Sequence, residues 1–237
     1  MSSDHEQILA HLKRASTATL THMLHQRGYR NVFMAGLHVL QPGMRLAGVA
    51  RTARMVPERP DLVWKAEERD RTPYRKLTDS LGKDDVIVID AHGDSGGGTV
   101  GDIMTARMKA LSGGGLVVDG AIRDAGQIRD LGFPVYARHI HGAAISRSLH
   151  SLETDTVVCC CGCTVCPGDY LTGDSDGVVV VPAALAAELA AMAAVHEDEE
   201  TYIRQRVSAG ASLADAYPMN ATLRAEYEQH RREHERS

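Results

Sequence analysis

A charged pair, Arg123 and Asp124, closely follows an apolar run in the sequence LVVDGAIRDAG. The run predicts a buried strand, which we expect to end in a turn at Asp119 and Gly120. A core does not need a guanidinium next to a carboxylate at the mouth of a strand, so the pair marks a candidate site. The alternative is an exposed salt bridge, because neighbouring Arg and Asp residues are common on surfaces and stabilise a fold only weakly.

A second candidate feature is a set of five glycines at positions 93–101, which follow the apolar run Val86–Asp90. The run predicts a strand covered on both faces, and Asp102–Leu111 predicts a helix. Unpaired amides at the start of that helix would attract an anion. The alternatives are a flexible structural loop and a dinucleotide-binding fingerprint. The glycine spacing does not match G-x-G-x-x-G, and no Walker lysine follows.

The order strand, glycine loop, helix, strand predicts a βαβ unit and therefore an α/β fold. Both strands are expected to end at one crevice, where open parallel sheets bind ligands. We therefore expect a small pocket that contains the amides of the helix start, the Arg123 guanidinium and the carboxylates of Asp102 and Asp124.

The other segments predict the elements that surround this pocket. Apolar spacing in the first 28 residues predicts helix, with Ser16 as an N-cap that divides it into two. The further predictions are a strand at 46–56, a charged surface excursion with one or two helices at 57–83, a short helix and a strand at 122–139, several short strands at 156–181 and helix from Pro182 onward.

Composition limits the classes of function. The chain has 237 residues, of which 43% are hydrophobic and 24% charged, enough for one large α/β domain or two small ones. A net charge of −5 argues against nucleic acid as a partner. The polar start MSSDHEQ and an apolar stretch interrupted by Glu188 predict neither a leader nor a membrane span. We expect a soluble, cytoplasmic protein.

Five cysteines crowd into eight positions: Cys159, Cys160, Cys161, Cys163 and Cys166. Their odd number and close spacing do not suit a secreted disulfide framework and fit a reducing cytosol. The pair Cys163 and Cys166 forms a C-x-x-C, but no second such pair completes a zinc site. We predict a core strand in which cysteine acts as a small hydrophobe. His139 and His141 are left out of the site, since no third ligand lies nearby in the sequence.

Two blocks of the sequence resemble the RraA-like family: GDIMTARMKALSGGGLVVDGAIRDAGQIRDLGFPVYARH and VCPGDYLTGDSDGVVVVP. The resemblance extends from about residue 16 to about residue 210. It implies a single domain over residues 1–237, a three-layer α/β/α swivelling-domain sandwich with its core at about 16–182. A helical segment at 183–237 would pack on a neighbouring subunit. The implied assembly is a homotrimer or homohexamer.

The family includes 4-hydroxy-4-methyl-2-oxoglutarate/4-carboxy-4-hydroxy-2-oxoadipate aldolases, which keep the Arg-Asp pair, and regulators of RNase E activity, which typically lack its aspartate. By this resemblance Asp124 would bind a divalent metal ion, Mg²⁺ or Mn²⁺, and Arg123 the keto oxygen of the substrate. Asp102 would position a water molecule that moves protons. The substrate carboxylate would be held at the helix start by Gly101 and the backbone amides of Ile103 and Met104.

The activity that the resemblance implies is that of a metal-dependent class II aldolase, which cleaves a 4-hydroxy-2-oxo acid to pyruvate and a carbonyl product. The metal ion would polarise the keto group, and Arg123 would stabilise the negative charge of the enolate. Oxaloacetate decarboxylation gives the same enolate and is expected as well. Two alternatives stay open: a non-catalytic regulator of ribonuclease E-type activity that acts by protein contact, and a related sugar-acid lyase or dehydratase.

Two positions depart from the aldolase pattern. His22 lies where the aldolases carry an acidic residue, and it is either a neutral substitute or an ordinary histidine. Glu200 is the best match for a glutamate that a neighbouring subunit contributes to the metal through water, with Glu197 and Glu199 as rivals. A solvated helix face is the alternative for all three. The long segment at 57–83 would reshape the substrate end of the pocket.

Overall fold

The computed structural model describes residues 3–59, 61, 72–144 and 149–234. Its helices are α1 Ser3–Arg14, α2 Thr17–Gln26, α3 Pro73–Asp79, α4 Asp102–Ala110, α5 Ala125–Leu131, α6 Ala183–Ser208, α7 Leu213–Ala216 and α8 Ala221–His234. Its strands are β1 Phe33–Met34, β2 His38–Val39, β3 Leu46–Pro57, β4 Asp85–Gly98, β5 Gly115–Ile122, β6 Val135–Ile140, β7 Leu149–Thr154, β8 Val158–Cys160, β9 Cys163–Val165, β10 Tyr170–Gly173 and β11 Val178–Val181.

The first two helices form as predicted. Ser16 is the N-cap of α2, and its hydroxyl accepts a hydrogen bond from the Thr19 backbone amide. That bond satisfies one of the amides that a helix start leaves unpaired. Gly28 follows the end of α2 with a φ of 86°, a left-handed conformation that glycine adopts without strain.

A central sheet has the strand order β1-β11-β10-β3-β4-β5-β6-β2, and β7 pairs with β3. The strands β3, β4, β5 and β6 run parallel to one another, while β10 and β7 pair with β3, and β2 with β6, in the antiparallel direction. The predicted βαβ unit is therefore present as β4–α4–β5. Because β4 and β5 run side by side, the turns that follow them lie at one edge of the sheet.

The glycine-rich segment is not a loop, contrary to the prediction. β4 continues through it to Gly98, pairing with β5 at Asp94 and Gly98 across two shifts of register. β5 likewise runs past Asp119 and Gly120, where a turn was predicted, and ends at Ile122. A β-carbon added at Gly120 would lie 2.9 Å from the Ala91 side chain, so the missing side chain is what allows the two strands to stay paired.

Helices cover one face of the sheet, which we call the helical face. In β5, Leu116 and Val118 pack there with Met108 of α4 and Ile128 of α5 in one buried cluster. β11 shows the same alternation: Val179 and Val181 pack with buried residues of α1, α2 and α6, whereas Val178 and Val180 belong to the cluster on the other face. Successive side chains of a strand point to opposite faces, so both helix groups lie on one side.

The other face, which we call the hairpin face, is covered by the β8–β9 hairpin. Val158, Cys160, Cys163 and Val165 of the hairpin are buried against Val117 of β5 and its neighbours. The α/β fold with a helical C-terminal extension is confirmed. Among the described residues, however, the second outer layer is this hairpin rather than helices, since the Cys-rich strands pair with each other across a two-residue turn.

The C-terminal extension begins with α6, a helix of 26 residues. Its first half is buried within the same chain, where Leu189 and Ala193 pack against Leu12 and Leu20. Contact of the remaining extension with a neighbouring subunit stays a prediction.

In the 57–83 segment the structure has the helix α3, and residues 60 and 62–71 lie outside the described part. No helix of the described residues is long and apolar enough to cross a membrane.

Candidate functional site

The two predicted features meet where β4 and β5 end. A β-carbon added to Gly101 would lie 2.5 Å from Asp124 Oδ2 and 2.9 Å from Arg123 Nε, and one added to Gly98 would lie 2.6 Å from Arg123 Cβ. Only residues without a side chain leave room for the charged pair at both positions. The structure therefore brings Gly101, Arg123 and Asp124 together, at the start of α4, as the βαβ order led us to expect.

The charged pair is accessible. Arg123 Nε lies 3.3 Å from Asp124 Oδ2, and the two side chains are 40% and 34% exposed. Asp124 caps α5 in the left-handed conformation, with φ 56° and ψ 38°. Asn, Asp and glycine occupy this region more readily than other residues. Strained conformations of this kind occur often at functional sites, which supports a role for Asp124 beyond packing.

The start of α4 is only partly free to bind an anion. Asp102 Oδ1 accepts a hydrogen bond of 2.8 Å from the Ile103 amide, one of the two amides predicted to hold the substrate carboxylate. The Met104 amide belongs to the first turn, whose amides have no acceptor within the helix. Ile103 itself is 79% exposed, so this end of the helix is open. A carboxylate that uses both amides must displace the Asp102 side chain.

Tyr74 lies near the pair and was not predicted as a site residue. Its hydroxyl lies 3.5 Å from the Thr99 carbonyl oxygen, on the segment that joins β4 to α4. Burial raises the pKa of the Tyr74 phenol, and the positive charges of Arg75 and Arg123 act against that rise. The phenol is therefore a neutral donor next to Arg123 at neutral pH. No sequence spacing links Tyr74 to the later motifs. The one indication in the sequence is that Tyr74 belongs to the 57–83 segment, which we expected to reshape the substrate end of the pocket.

Thr99 carries a buried hydroxyl without a hydrogen-bond partner in the described structure. The residue is 3% exposed and lies two positions before Gly101. By contrast, the buried Thr105 hydroxyl, one turn into α4, donates 2.9 Å to the Gly101 carbonyl oxygen. An unsatisfied hydroxyl beside the candidate site is a polar group that a bound ligand or water would satisfy.

These two threonines give opposite expectations for stability. Thr99→Val removes a desolvated hydroxyl that has no partner, so we expect the free energy of unfolding to rise by about 1 kcal/mol. Thr105→Val removes a satisfied hydrogen bond, so we expect it to fall by about 1 kcal/mol. Urea denaturation of both variants measures the difference. Equal destabilisation by the two changes would show that the Thr99 hydroxyl has a partner after all.

The residues of the site suit a hard divalent cation. Asp124 presents a partly exposed carboxylate, and Asp102 places a second carboxylate at the adjoining helix start. Neither belongs to a convergent group of three ligands in the described part of the chain. Mg²⁺ commonly takes one or two carboxylates and keeps several waters, so a full set of protein ligands is not required.

The three candidate glutamates of α6 differ in their contacts. Glu197 accepts hydrogen bonds of 2.8 Å from the Ser16 amide and the Thr19 hydroxyl. Burial raises the pKa of Glu197, but those hydrogen bonds outweigh burial and lower it overall. Glu199 lies 2.7 Å from Arg224. Both rivals are thus engaged in holding other helices in place.

Glu200 is partly exposed and faces two side chains of its own helix, His196 at 3.3 Å and Arg204 at 3.7 Å. The described contacts do not join it to Asp124 within one chain. Its predicted contribution from a neighbouring subunit therefore stays a prediction.

His22 is an exposed residue of α2 whose ring Nε2 lies 2.9 Å from the Gln26 amide, which is the position of an ordinary surface histidine.

A cavity of about 600 Å³ lies beside the charged pair and includes Ile122 but neither Arg123 nor Asp124 in its lining. His139 and His141 line it, and His38 of β2 joins them. Among the described residues the ligand atoms of these histidines do not converge closely enough for a metal ion.

Comparison with known proteins agrees with this architecture. The family model described as RraA-like, Aldolase/RraA, matches residues 17–180. A protein of Halalkalibacterium halodurans with the name "Putative 4-hydroxy-4-methyl-2-oxoglutarate aldolase" is 42% identical over 98 residues, which are 41% of this chain and 46% of that protein. The chain spans about half the length of the curated relatives it matches first.

Solved structures extend the likeness. Streptomyces coelicolor RraAS2, described as an unusual member of the RNase ES inhibitor RraA protein family, is 32% identical with a TM-score of 0.75, over 83% of this chain and 95% of that one. An uncharacterized protein from Pseudomonas syringae pv. tomato is 26% identical with a TM-score of 0.77, over 89% and 96% of the two chains. On the family match and this shared fold, the chain belongs to the RraA-like family.

Proposed function

We propose that the protein is a divalent-metal-dependent carbon–carbon lyase of the class II aldolase type, which releases pyruvate from a 4-hydroxy-2-oxo acid or from oxaloacetate. The observation that carries this proposal is the contact of the Arg123–Asp124 pair with Gly101 at the start of α4. A cation-binding carboxylate, a fixed positive charge and helix amides would then act together at this edge of the sheet. Relatives with an aldolase name support the same class of reaction.

Arg123 is the residue that stabilises developing charge. Its Nε faces Asp124, which leaves the outer N–H groups of the guanidinium available to a substrate oxygen. When the bond next to the hydroxyl-bearing carbon breaks, electrons move onto the keto oxygen, and a fixed donor at that oxygen lowers the barrier. Loss of one such donor typically costs about 10²–10³ in rate. The Met104 amide orients the substrate by binding its carboxylate.

Asp102 is the residue that moves protons. It lies at the first position of α4, and its side chain reaches the Ile103 amide. When substrate carboxylate takes that amide, the Asp102 carboxylate is released to accept the proton of the 4-hydroxyl group, directly or through water. The same proton then returns to the carbon of the three-carbon product, so the carboxylate is regenerated.

Asp124 would hold the divalent ion, with Glu200 of the partner subunit assisting through water. When bound, the ion supplies Lewis-acid polarisation of the 2-keto group. Hard oxygen ligands favour Mg²⁺ or Mn²⁺ over softer ions at this position. Asp124 has one oxygen close to Arg123 Nε, which orients its carboxylate before an ion arrives.

The direct test is pyruvate release. We expect the purified full chain to release pyruvate from oxaloacetate and from a 4-hydroxy-2-oxo acid when Mg²⁺ or Mn²⁺ is present, as followed with a lactate dehydrogenase coupled assay. EDTA should return the rate to the uncatalysed background, because the metal ion supplies several kcal/mol of the stabilisation. Pyruvate release that EDTA does not affect would exclude the metal-dependent mechanism.

A second candidate function is regulation of a ribonuclease by protein contact. The observation in its favour is the 32% identity to a protein described as belonging to the RNase ES inhibitor RraA family. The two candidates are separated by one pair of measurements. Inhibition of an RNase E-type enzyme by the purified chain, without metal-dependent pyruvate release from any oxo acid tested, would replace the lyase proposal with the regulator.

A further inference from the structure

On the hairpin face, away from the lyase site, three buried polar groups converge. One ligand atom from each of Asp119, Cys160 and Cys161 lies within 4.8 Å of the other two. The residues are 6%, 0% and 6% exposed. This is the one convergent group of three metal-ligating side chains in the described part of the chain. Asp119 belongs to the central sheet and the cysteines to the hairpin, so the cluster joins two separate layers.

The hairpin turn adds a third thiol. Cys161 and Gly162 both have positive φ, 52° and 79°, which is the conformation of a two-residue hairpin turn. Cys160 and Cys163 flank that turn and are paired in the β8–β9 ladder. Directly paired residues project to the same side of a hairpin, and both of these are buried. The Cys163 sulfur therefore lies on the same side of the hairpin as that of Cys160, outside the group whose ligand atoms all lie within 4.8 Å of one another.

The sheet beneath the hairpin contains two neighbouring carboxylates, although an apolar layer would contain none. Asp90 and Asp119 are direct neighbours in the β4–β5 ladder. Each accepts a hydrogen bond from the hairpin backbone, at 3.3 Å from the Cys159 amide and 2.6 Å from the Cys161 amide. Like charges placed directly opposite each other destabilise a sheet. If the cysteines acted only as small hydrophobic residues, no buried carboxylate would be required next to them.

A guanidinium and an imidazole lie next to these carboxylates. Arg138 of β6 is paired with Asp119 and also hydrogen-bonds the Cys161 side chain, so an ion bound there would displace this guanidinium from Cys161. His92 Nδ1 lies 3.3 Å from Asp90 Oδ1. Asp119 thus has a neighbour of opposite sign, and its other oxygen accepts the hydrogen bond from the Cys161 amide in the hairpin turn. The cation-binding tendency of the cluster comes from the two thiols in addition to that oxygen.

We propose that Asp119, Cys160 and Cys161 form a binding site for a soft divalent ion of the zinc class, with Cys163 as the fourth ligand. Zinc is bound tetrahedrally by Cys sulfur at about 2.3 Å and carboxylate oxygen at about 2.0–2.2 Å, which sets ligand atoms roughly 3.5–3.8 Å apart. The three ligand atoms lie within 4.8 Å of one another and would approach by up to about 1 Å, while Cys163, outside that group, would turn toward them. Mg²⁺ does not favour thiolate ligands, so this site and the lyase site differ in the ion they select.

A bound ion would link the β8–β9 hairpin to the central sheet. Each cysteine that coordinates the ion releases its proton to solvent, and no electron is transferred. The ion would then link β5 to the turn between β8 and β9, where the Asp90 and Asp119 carboxylates already accept hydrogen bonds from two backbone amides of the hairpin. An ion that binds the folded chain but not the unfolded chain stabilises the fold, and the stabilisation increases with the concentration of free ion. The role is structural, and it is independent of the proposed lyase activity.

Cobalt spectroscopy tests this site without reference to activity. The full chain is kept reduced, stripped of metal with a chelator and titrated with Co²⁺. We expect a thiolate-to-cobalt charge-transfer band in the near ultraviolet that saturates at one ion per chain and is removed by Zn²⁺ but not by excess Mg²⁺. Zn²⁺ should also raise the thermal unfolding midpoint.

Variants identify the ligands. Cys160→Ala with Cys161→Ala should abolish the band, whereas Cys159→Ala and Cys166→Ala, changes at the two exposed cysteines of the same segment, should retain it. Circular dichroism checks that each variant is folded, and the milder Cys161→Ser replaces the double change if that one unfolds. Cobalt binding without a charge-transfer band, or a band lost only in Cys166→Ala, would overturn the proposal.

Discussion

Asp124→Asn should reduce metal-dependent pyruvate release by at least about 10³-fold, the largest loss expected from any single substitution in this chain. The asparagine keeps the size and the left-handed conformation of Asp124, which has a φ of 56°. It removes the negative charge that would hold the divalent ion. Lewis-acid catalysis is worth several kcal/mol, and each 1.36 kcal/mol is tenfold in rate. Steady-state rates over a range of Mn²⁺ concentrations give the loss.

The chain supplies its own control for this substitution. Ile128, Arg129 and Asp130 of α5 repeat the residue types of Ile122, Arg123 and Asp124, which lie between the end of β5 and the start of α5, and Asp130 is exposed. Asp130→Asn therefore changes the same charge in the same local sequence and should leave the rate within a factor of two. Thermal unfolding of Asp124→Asn should match the parent protein. Full activity in Asp124→Asn, or an equal loss in both variants, would remove Asp124 from the mechanism.

The candidate site was predictable to the extent that it depends on chain order. Parallel strands joined by a helix place their carboxyl ends at one edge, so Arg123, Asp124 and the start of α4 had to meet. Local rules also located α2, because Ser16 is a good N-cap, and α4, because polar residues precede an apolar pattern. These elements are decided by residues close together in sequence.

Other features depend on pairing between distant segments. The glycines at 96–98 weaken a strand by propensity, and they stay in β4 only because β5 and the segment near Ala143 provide partners. Tyr74 reaches the site because α3 packs beside β7, a contact that no local pattern encodes. The hairpin layer was missed because its turn requires positive φ at Cys161, a residue type with no preference for that region.

The same reasoning explains why the cysteine cluster could not be assembled from sequence. A search for zinc ligands by spacing finds Cys163 and Cys166 and then looks for a second cysteine pair. In the structure Cys166 is exposed, and the group that converges uses Asp119, about forty residues earlier in the chain. A carboxylate that follows an apolar run in the sequence gives no indication that a distant hairpin will pack against it.

Gly101→Ala should reduce pyruvate release by about 10²-fold while leaving the fold intact. The backbone of Gly101 is extended, with φ −119° and ψ −174°, which alanine adopts without strain. Its new methyl group would meet Asp124 Oδ2 at 2.5 Å and Arg123 Nε at 2.9 Å. Both atoms belong to partly exposed side chains that are able to turn away from the methyl group. The substitution should therefore displace the two charged groups and leave the free energy of unfolding nearly unchanged. A misplacement near 1 Å is enough for such a loss of rate.

Gly126→Ala provides the comparison. Gly126 lies in α5, two residues after Asp124, and a β-carbon there would meet no atom within 4 Å. Alanine should stabilise the helix by up to about 1 kcal/mol and leave the rate unchanged. The decisive measurement is kcat/KM for pyruvate release together with the midpoint of thermal unfolding for both variants. If Gly101→Ala kept the parent rate, the charged pair would not need the position that Gly101 leaves open, and the site would have to lie elsewhere on the sheet edge.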